Sequence, residues 1–174
     1  MPARPAIWLL IAAAIAVPAS LPVGALVASQ PGTPVIYALP YRMPDPQTSW
    51  DLELVALNLM NQERVAAGLA PLMPHATIRV AARAHGSDMF AFGYLSHRSR
   101  DGRNPEQRVK GLGVRVRMVG ENLAYAQDLR AAHEALMASA GHRQNILLPE
   151  YRLVGIGVID GGPLGVVVVQ NFSD

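Results

Sequence analysis

Two β-branched runs near the C-terminus place the strongest constraint on the fold of this chain. They cover residues 154–159 and 164–172, and an Asp-Gly-Gly-Pro sequence at residues 160–163 separates them in the manner of a β-hairpin. The segments before them follow helical spacing, so helices come early and strands come late. This order predicts an α+β domain in which an antiparallel sheet is packed between helices.

Apolar spacing predicts four helices and one further strand ahead of the hairpin. The first helix begins at Leu52 and ends before Gly68. The other three cover about residues 75–92, 106–112 and 128–138. Val114, Val116 and Met118 alternate with arginines, which predicts a strand with one buried face leading into Gly120.

The first 29 residues have the pattern of a secretory signal peptide. Arg4 precedes an uncharged run over residues 6–17, and Ala19, Ala25 and Ser29 each satisfy the small-residue rule for cleavage. A retained membrane anchor is the alternative, because apolar residues resume after the first of these positions. Either way, the expected location is secreted, periplasmic or at the cell envelope.

Residues 30–49 are interpreted as a linker, and residues 50–174 as one folded domain that we expect to be monomeric. Five prolines in the linker prevent regular helix and favour an extended spacer. A formal charge of +2 gives no support for nucleic-acid binding through the whole surface. The chain has no cysteine, so it has no disulfide framework, and any metal must be held by histidines and carboxylates.

Three short polar groups lie between residues 96 and 145, separated by a basic segment and a helical one. They are Ser96-His97, which follows a helix end, Gly120-Glu121-Asn122, which follows the predicted strand, and the segment from His142 to Asn145, which opens a helical turn. A carboxylate and two imidazoles brought together can act as a base or hold a metal. We therefore predict that His97, Glu121 and His142 converge on one cleft.

The other three histidines are interpreted as structural. His85 lies on the apolar stripe of the second helix with no second ligand at helical spacing, which favours a hydrogen-bonded core residue over a member of a site. His75 stands at a helix start and suits a capping or surface position. His133 lies next to Glu134 on a helix, where consecutive side chains point apart.

Basic residues are dense between residues 98 and 117, where seven of them face two acids. A solvated basic face is the simpler interpretation. The alternative is an anionic surface, such as lipid headgroups or an envelope polymer, that contacts Arg98, Arg100 and Arg103.

The order of the motifs resembles a bacterial member of the CAP superfamily, which comprises cysteine-rich secretory proteins, antigen 5 and pathogenesis-related proteins. The motifs are Ala-His-Gly-Ser-Asp-Met at residues 84–89, Ser96-His97, Gly120-Glu121-Asn122, Gly-His-Arg-Gln-Asn-Ile-Leu at 141–147, Gly-Ile-Gly-Val at 155–158 and Gln-Asn-Phe at 170–172. The match covers about residues 52–173. The resemblance implies an α-β-α sandwich with a central cleft.

Members of the superfamily line that cleft with two histidines and two glutamates, and some bind a divalent metal through the histidines. The resemblance assigns His97, Glu121 and His142 to three of these positions, whereas Ser139 stands near the place of the second glutamate. Leu136 and Ala140 also replace the Trp and Pro of the bacterial motif.

Two functional hypotheses follow from these residues. The first is a binding module for a lipid, an envelope polymer or a protein, in which Ser96, Asn122, Ser139 and Asn145 bind the ligand or support the cleft. The second is a metal-assisted hydrolase or peptidase that uses His97, Glu121 and His142. Zinc is the expected metal, held weakly by the two histidines with Glu121 as a possible third ligand or base.

Overall fold

The computed structural model describes residues 25–27 and 35–174, so most of the predicted export segment lies outside the described residues. The helices of the described part are α1 (Trp50–Ala66), α2 (Ala76–Phe92), α3 (Pro105–Lys110), α4 (Leu129–Ala138) and α5 (Ala140–Ile146). Its strands are β1 (Leu26–Val27), β2 (Tyr37–Ala38), β3 (Gln47–Thr48), β4 (Met73–Pro74), β5 (Tyr94–Leu95), β6 (Val119–Ala126), β7 (Leu153–Asp160) and β8 (Val166–Ser173). In these ranges no helix is long and apolar enough to cross a membrane.

Side-chain caps define the starts of the longer helices. Ser49 accepts from the Leu52 amide at the start of α1, and Asp128 accepts from the Ala131 amide at the start of α4. His75 accepts from the Ile78 amide, which confirms its interpretation as a capping residue. Such caps satisfy amides that have no partner inside the helix, and each stabilises the fold by about 1 kcal/mol.

The sheet is built on the predicted C-terminal hairpin. β7 and β8 pair antiparallel through a short 3₁₀ turn at Gly162–Leu164, and β6 pairs antiparallel with the other edge of β8. The order is β1-β6-β8-β7-β3, with β4 running parallel to β7. Apart from that short parallel pair, the antiparallel sheet predicted from the sequence is confirmed.

Helices cover both faces of the sheet, as in an α-β-α sandwich. Leu136 of α4 and Ile146 of α5 lie in the core on one face, and Met89 and Phe90 of α2 lie in the core on the other. A Cβ added at Gly155 of β7 would lie 2.2 Å from the backbone of Ile78, so the backbone of α2 rests directly on the sheet. Glycine at this position is what permits the close approach.

The strand predicted over residues 114–118 is wrong, because β6 begins only at Val119. Val114 and Val116 instead pack against a small cluster that contains Ile78 and Val109. Their alternation with arginines therefore reflects a loop in which the apolar side chains are half-buried and the arginines are exposed. As a consequence, Glu121 and Asn122 lie within a strand rather than after one.

Part of the predicted linker is paired with the domain. β2 pairs with β5 and β3 pairs with β7, while the amide of Leu39 donates to the carbonyl of Gly93 at 3.0 Å. Leu26 and Val27, from the predicted export segment, pair with β6. Residues 35–49, the described part of the linker, contain no helix, and the residues between the prolines keep amides that add strands to the sheets.

Candidate functional site

Glu121 and Asn122 point to opposite faces of β6. Consecutive residues of a strand alternate between faces. The neighbours Leu123 and Tyr125 share the face of Glu121 and pack with α2, whereas Ala124 and the side chain of Asn122 lie on the face covered by α4 and α5. The predicted site therefore has two halves, one around the Glu121 side chain and one around the Asn122 side chain.

Both carboxylate oxygens of Glu121 are engaged. Nδ1 of His97 lies 2.9 Å from Oε1, and Nη2 of Arg108 donates to Oε2 at 2.5 Å. Glu121 is only 3% exposed. Burial alone acts to raise its pKa, but the hydrogen bond with His97 and the charge of Arg108 prevail, so the pKa of Glu121 is lowered from its ordinary value.

Arg108 is a residue of the candidate site that the sequence does not identify, because it lies among the basic residues interpreted as a solvated face. It lies on α3 and is 5% exposed. Besides the bond to Glu121, its Nη1 donates to the carbonyls of His97 and Arg103, both at 2.9 Å, and to Oγ of Ser99 at 3.0 Å. One guanidinium thus holds the loop between β5 and α3 against β6. The sequence places Arg108 in the short helix predicted over residues 106–112, which does not by itself indicate burial.

His97 is one of the side chains that line a small cleft. Because a carboxylate only accepts, Nδ1 carries the hydrogen of the 2.9 Å contact with Glu121. Nε2 is buried and has no hydrogen-bond partner among the described residues. The cleft has a volume of about 210 Å³ and is lined by His97, Glu121, Gly120, Val119 and the start of α3.

The other half of the site is organised around the first turn of α5. Nδ1 of His142 lies 2.7 Å from Oγ of Ser139. Nδ2 of Asn122 donates to the His142 carbonyl at 3.0 Å and also contacts the Gln170 side chain at 3.1 Å. Asn145 donates to Oδ1 of Asn122 at 2.9 Å and to the Glu121 carbonyl at 3.3 Å. These amides tie α5 to β6.

Glu121 contacts His97 directly, and its backbone is linked to the His142 segment through Asn145 and Asn122. Across residues 25–27 and 35–174, no group of three or more His, Asp or Glu side chains is arranged to hold a metal ion. For a metal, the clearest fit is Nε2 of His97, since a histidine whose Nδ1–H is held by a carboxylate is oriented as metal-binding histidines are.

Ser96 and His85 support the loop that carries His97. Nε2 of His85 lies 2.8 Å from the Ser96 carbonyl, and Oγ of Ser96 accepts from the Arg98 amide at 3.3 Å. The interpretation of His85 as a hydrogen-bonded core residue is confirmed. Burial lowers the pKa of His85 to about 4, despite the nearby charge of Glu121, so its imidazole is neutral at pH 7.

The part of the sequence that contains this site matches a known protein family. Residues 57–172 match the CAP family, described as the cysteine-rich secretory protein family. The chain belongs to this family. The match runs from α1 to β8 and includes every candidate site residue. This CAP domain is built without any of the cysteines from which the family takes its name.

Two curated relatives come from Bacillus subtilis (strain 168). The uncharacterized protein YkwD is 34% identical over 113 residues, which cover 64% of this chain and 44% of YkwD. The uncharacterized membrane protein YlbC is 36% identical over 103 residues, which cover 59% of this chain and 30% of YlbC. The chain thus matches less than half the length of either relative.

Solved structures of similar fold include two bacterial surface or extracellular proteins. An extracellular protein with an SCP domain from Bacillus anthracis str. Ames superposes with a TM-score of 0.65 at 28% identity, over 71% of this chain and 40% of the other. An outer surface protein from Borrelia burgdorferi superposes with a TM-score of 0.70 at 16% identity, over 76% of this chain and 98% of the other. The second likeness concerns the fold alone.

Proposed function

We propose that this CAP domain works outside the cytoplasm, as a secreted or envelope-associated protein, and binds a ligand at the cleft beside His97. In this proposal Glu121 is a structural brace. The observation that carries it is the engagement of both Glu121 oxygens, by His97 at 2.9 Å and by Arg108 at 2.5 Å. The ligand classes are a lipid, an envelope polymer or a protein.

The environment of Glu121 favours binding over catalysis. A general base must reach its substrate and works best when its pKa is near the working pH. Glu121 is buried, its oxygens already accept hydrogen bonds, and its pKa is lowered. A carboxylate in this state is a weak proton acceptor, but it is well suited to fixing the imidazole of His97.

The imidazole of His97 supplies the polar group that faces a ligand. With its Nδ1 hydrogen directed at Glu121, a neutral His97 carries a lone pair on Nε2. A buried acceptor without a partner costs about 1–3 kcal/mol, which a ligand O–H or N–H restores on binding. The neighbouring cleft of about 210 Å³ has room for a small group or for the end of a larger chain.

A location outside the cytoplasm is supported by two independent lines. The N-terminal sequence has the charge and apolar pattern of an export signal. The Bacillus anthracis protein of similar fold, 28% identical, is described as extracellular.

A metal-assisted hydrolase or peptidase is the second candidate, favoured by the carboxylate contact that orients His97. Nε2 of His97 would be one metal ligand and His142 the second, and the metal when bound would polarise a water or a carbonyl group. Two histidines are fewer than the three protein ligands of ordinary catalytic zinc, so the expected binding is weak and exchangeable.

The substitution Glu121→Gln tests whether Glu121 acts as a structural brace or as a catalytic base. A brace predicts a loss of about 3–5 kcal/mol in the free energy of unfolding, because the Arg108 charge is left buried without its partner. Urea unfolding of the two proteins measures this loss. Glu106→Gln is the matched control, since Glu106 lines the same cleft but is exposed and pairs with the exposed Lys110. Its effect should stay within about 0.5 kcal/mol.

A Glu121→Gln protein of unchanged stability would contradict the brace. If such a folded variant also lost a hydrolytic activity that the wild type shows on labelled casein, the hydrolase would be the better explanation.

Ligand binding itself is read at His97. We expect titration with a short-chain phosphatidylglycerol, or with soluble envelope polysaccharide, to shift the ¹⁵N resonance of His97 Nε2. A hydrogen bond donated by the ligand changes the electron density at this nitrogen. A histidine outside both halves of the site, His75, is the internal control. Resonances of His97 that do not respond to either probe would contradict the proposal for these two ligand classes.

A further inference from the structure

A second cleft is lined by Arg108 but not by His97. It has a volume of about 440 Å³ and lies between α2, which contributes His85, and the loop over residues 99–103. This volume falls within the range of about 300–1,000 Å³ that small-molecule sites occupy. The ligand proposed for the His97 cleft does not occupy this larger cleft.

Two buried polar atoms of the lining residues have no hydrogen-bond partner among the described residues. They are Nδ1 of His85 and Nε of Arg108, on side chains whose residues are 2% and 5% exposed. His85 uses Nε2 for the Ser96 carbonyl, which only accepts, so Nε2 carries the hydrogen and Nδ1 is an acceptor. The Nε–H of Arg108 is always a donor.

The three arginines that line this cleft are each paired with a carboxylate. Arg100 lies 3.8 Å from Asp88, Arg103 lies 2.7 Å from Asp101, and Arg108 is paired with Glu121. The imidazole of His85 adds no charge at neutral pH. An anion would therefore have to compete with carboxylates already in place, whereas a neutral ligand rich in donors and acceptors leaves these pairs intact.

We propose that this second cleft binds a neutral saccharide whose hydroxyl groups donate to Nδ1 of His85 and accept from Nε–H of Arg108. A hydroxyl group serves as donor and acceptor at once, which suits one unpaired acceptor and one unpaired donor on two side chains that line the same cleft. Further hydroxyls of the sugar form hydrogen bonds with the hydroxyl of Ser99 and with the ion pair of Arg103 and Asp101 at the rim of the cleft.

The test is calorimetric titration of the full-length chain with four neutral tetrasaccharides, built from α-linked glucose, β-linked glucose, mannose and N-acetylglucosamine. We expect at least one to bind. The affinity should fall about tenfold or more in His85→Phe, which keeps a ring but has no acceptor, since an unpaired buried group costs about 1–3 kcal/mol.

Because His85→Phe also removes the bond to Ser96, a rim substitution provides a second readout that does not threaten folding. Arg103→Gln should weaken binding several-fold. Arg117→Gln is its matched control, because Arg117 is likewise exposed and pairs with a carboxylate at 2.7 Å, but lies away from this cleft. We expect Arg117→Gln to bind as the wild type does.

Three results would overturn the proposal. The first is that none of the four tetrasaccharides binds. The second is binding that survives in folded His85→Phe and in Arg103→Gln but is lost in His97→Gln, which would place the sugar in the cleft beside His97. The third is displacement of the bound sugar by inorganic sulfate at constant ionic strength, which would show an anion site.

Discussion

Arg108 on α3 donates from Nη2 to Oε2 of Glu121 on β6 at 2.5 Å, and both side chains are almost closed to solvent. The same guanidinium holds the carbonyl of His97. The residue that presents His97 to its cleft is therefore a buried arginine, and the glutamate of the Gly-Glu-Asn motif acts as its counter-charge.

Replacing this arginine by lysine is expected to destabilise the protein. Lysine keeps the charge, but a single ammonium cannot reach the four acceptors that Nη1 and Nη2 of Arg108 share. Arg108→Lys should lose about 2–4 kcal/mol in the free energy of unfolding, measured by urea denaturation. The exposed pair of Arg117 with Asp174 gives the control, and Arg117→Lys should stay within about 0.5 kcal/mol. Equal stability of the two variants would refute the role given to Arg108.

Stability is expected to fall as the pH is lowered from about 6.5. Burial lowers the folded-state pKa of His85 to about 4, so the unfolded chain binds more protons than the folded one between these values. The loss approaches about 1.4 kcal/mol per pH unit and totals on the order of 3 kcal/mol. The lowered pKa of Glu121 adds a further loss once the pH falls below the ordinary value of a glutamate.

Urea midpoints measured from pH 7.5 to pH 4.5 check this dependence. His85→Gln should flatten the slope above pH 5, whatever its effect on stability at neutral pH. A wild-type slope that persists unchanged in His85→Gln would show that another group carries the titration.

Zinc binding is expected to be weak and to depend on histidine. Nε2 of His97 is the oriented donor, and no group of three ligands exists in the described ranges. Native mass spectrometry with added zinc should show partial occupancy of the wild type, and none of the His97→Ala/His142→Ala double variant. Equal uptake by both proteins would remove the metal site from consideration.

Reversing the charges of Arg98, Arg100 and Arg103 is expected to change membrane binding little. Arg100 and Arg103 already face Asp88 and Asp101, so the surface has less free positive charge than the sequence suggests. Co-sedimentation with phosphatidylserine-containing vesicles should change less than about twofold between wild type and the triple Glu variant at physiological salt. A loss of co-sedimentation confined to anionic vesicles would instead establish an anionic surface as the partner.

Much of the fold could be predicted from the sequence. Periodicity located α2 and α4, and the Asp-Gly-Gly-Pro turn located the β7–β8 hairpin, because these signals arise from local backbone preferences and from one buried face. The strand predicted over residues 114–118 was wrong, although it rested on a periodicity signal of the same kind, the alternation of apolar and polar residues. Alternation reports which side chains are buried, and it does not report whether the backbone finds a partner strand.

The site was predicted less completely. The motif order predicts His97, Glu121 and His142 as site residues, but it leaves Arg108 on a solvated surface, since nothing local distinguishes a buried arginine from an exposed one. Its partners are spread over residues 97–121. The amide contacts of Asn122 and Asn145 likewise join β6 to α5 across about twenty residues of chain.

The sequence by itself determined the longer helices, the C-terminal hairpin, the absence of disulfides and the identity of the chemically capable residues, because each of these is a property of composition or of near neighbours. Only the tertiary structure decided what those residues do. Strand alternation sends Glu121 to the α2 face and Asn122 to the α5 face, and burial beside Arg108 makes the carboxylate a counter-charge. Such roles depend on desolvation and on long-range contacts, which exist only once the chain has packed.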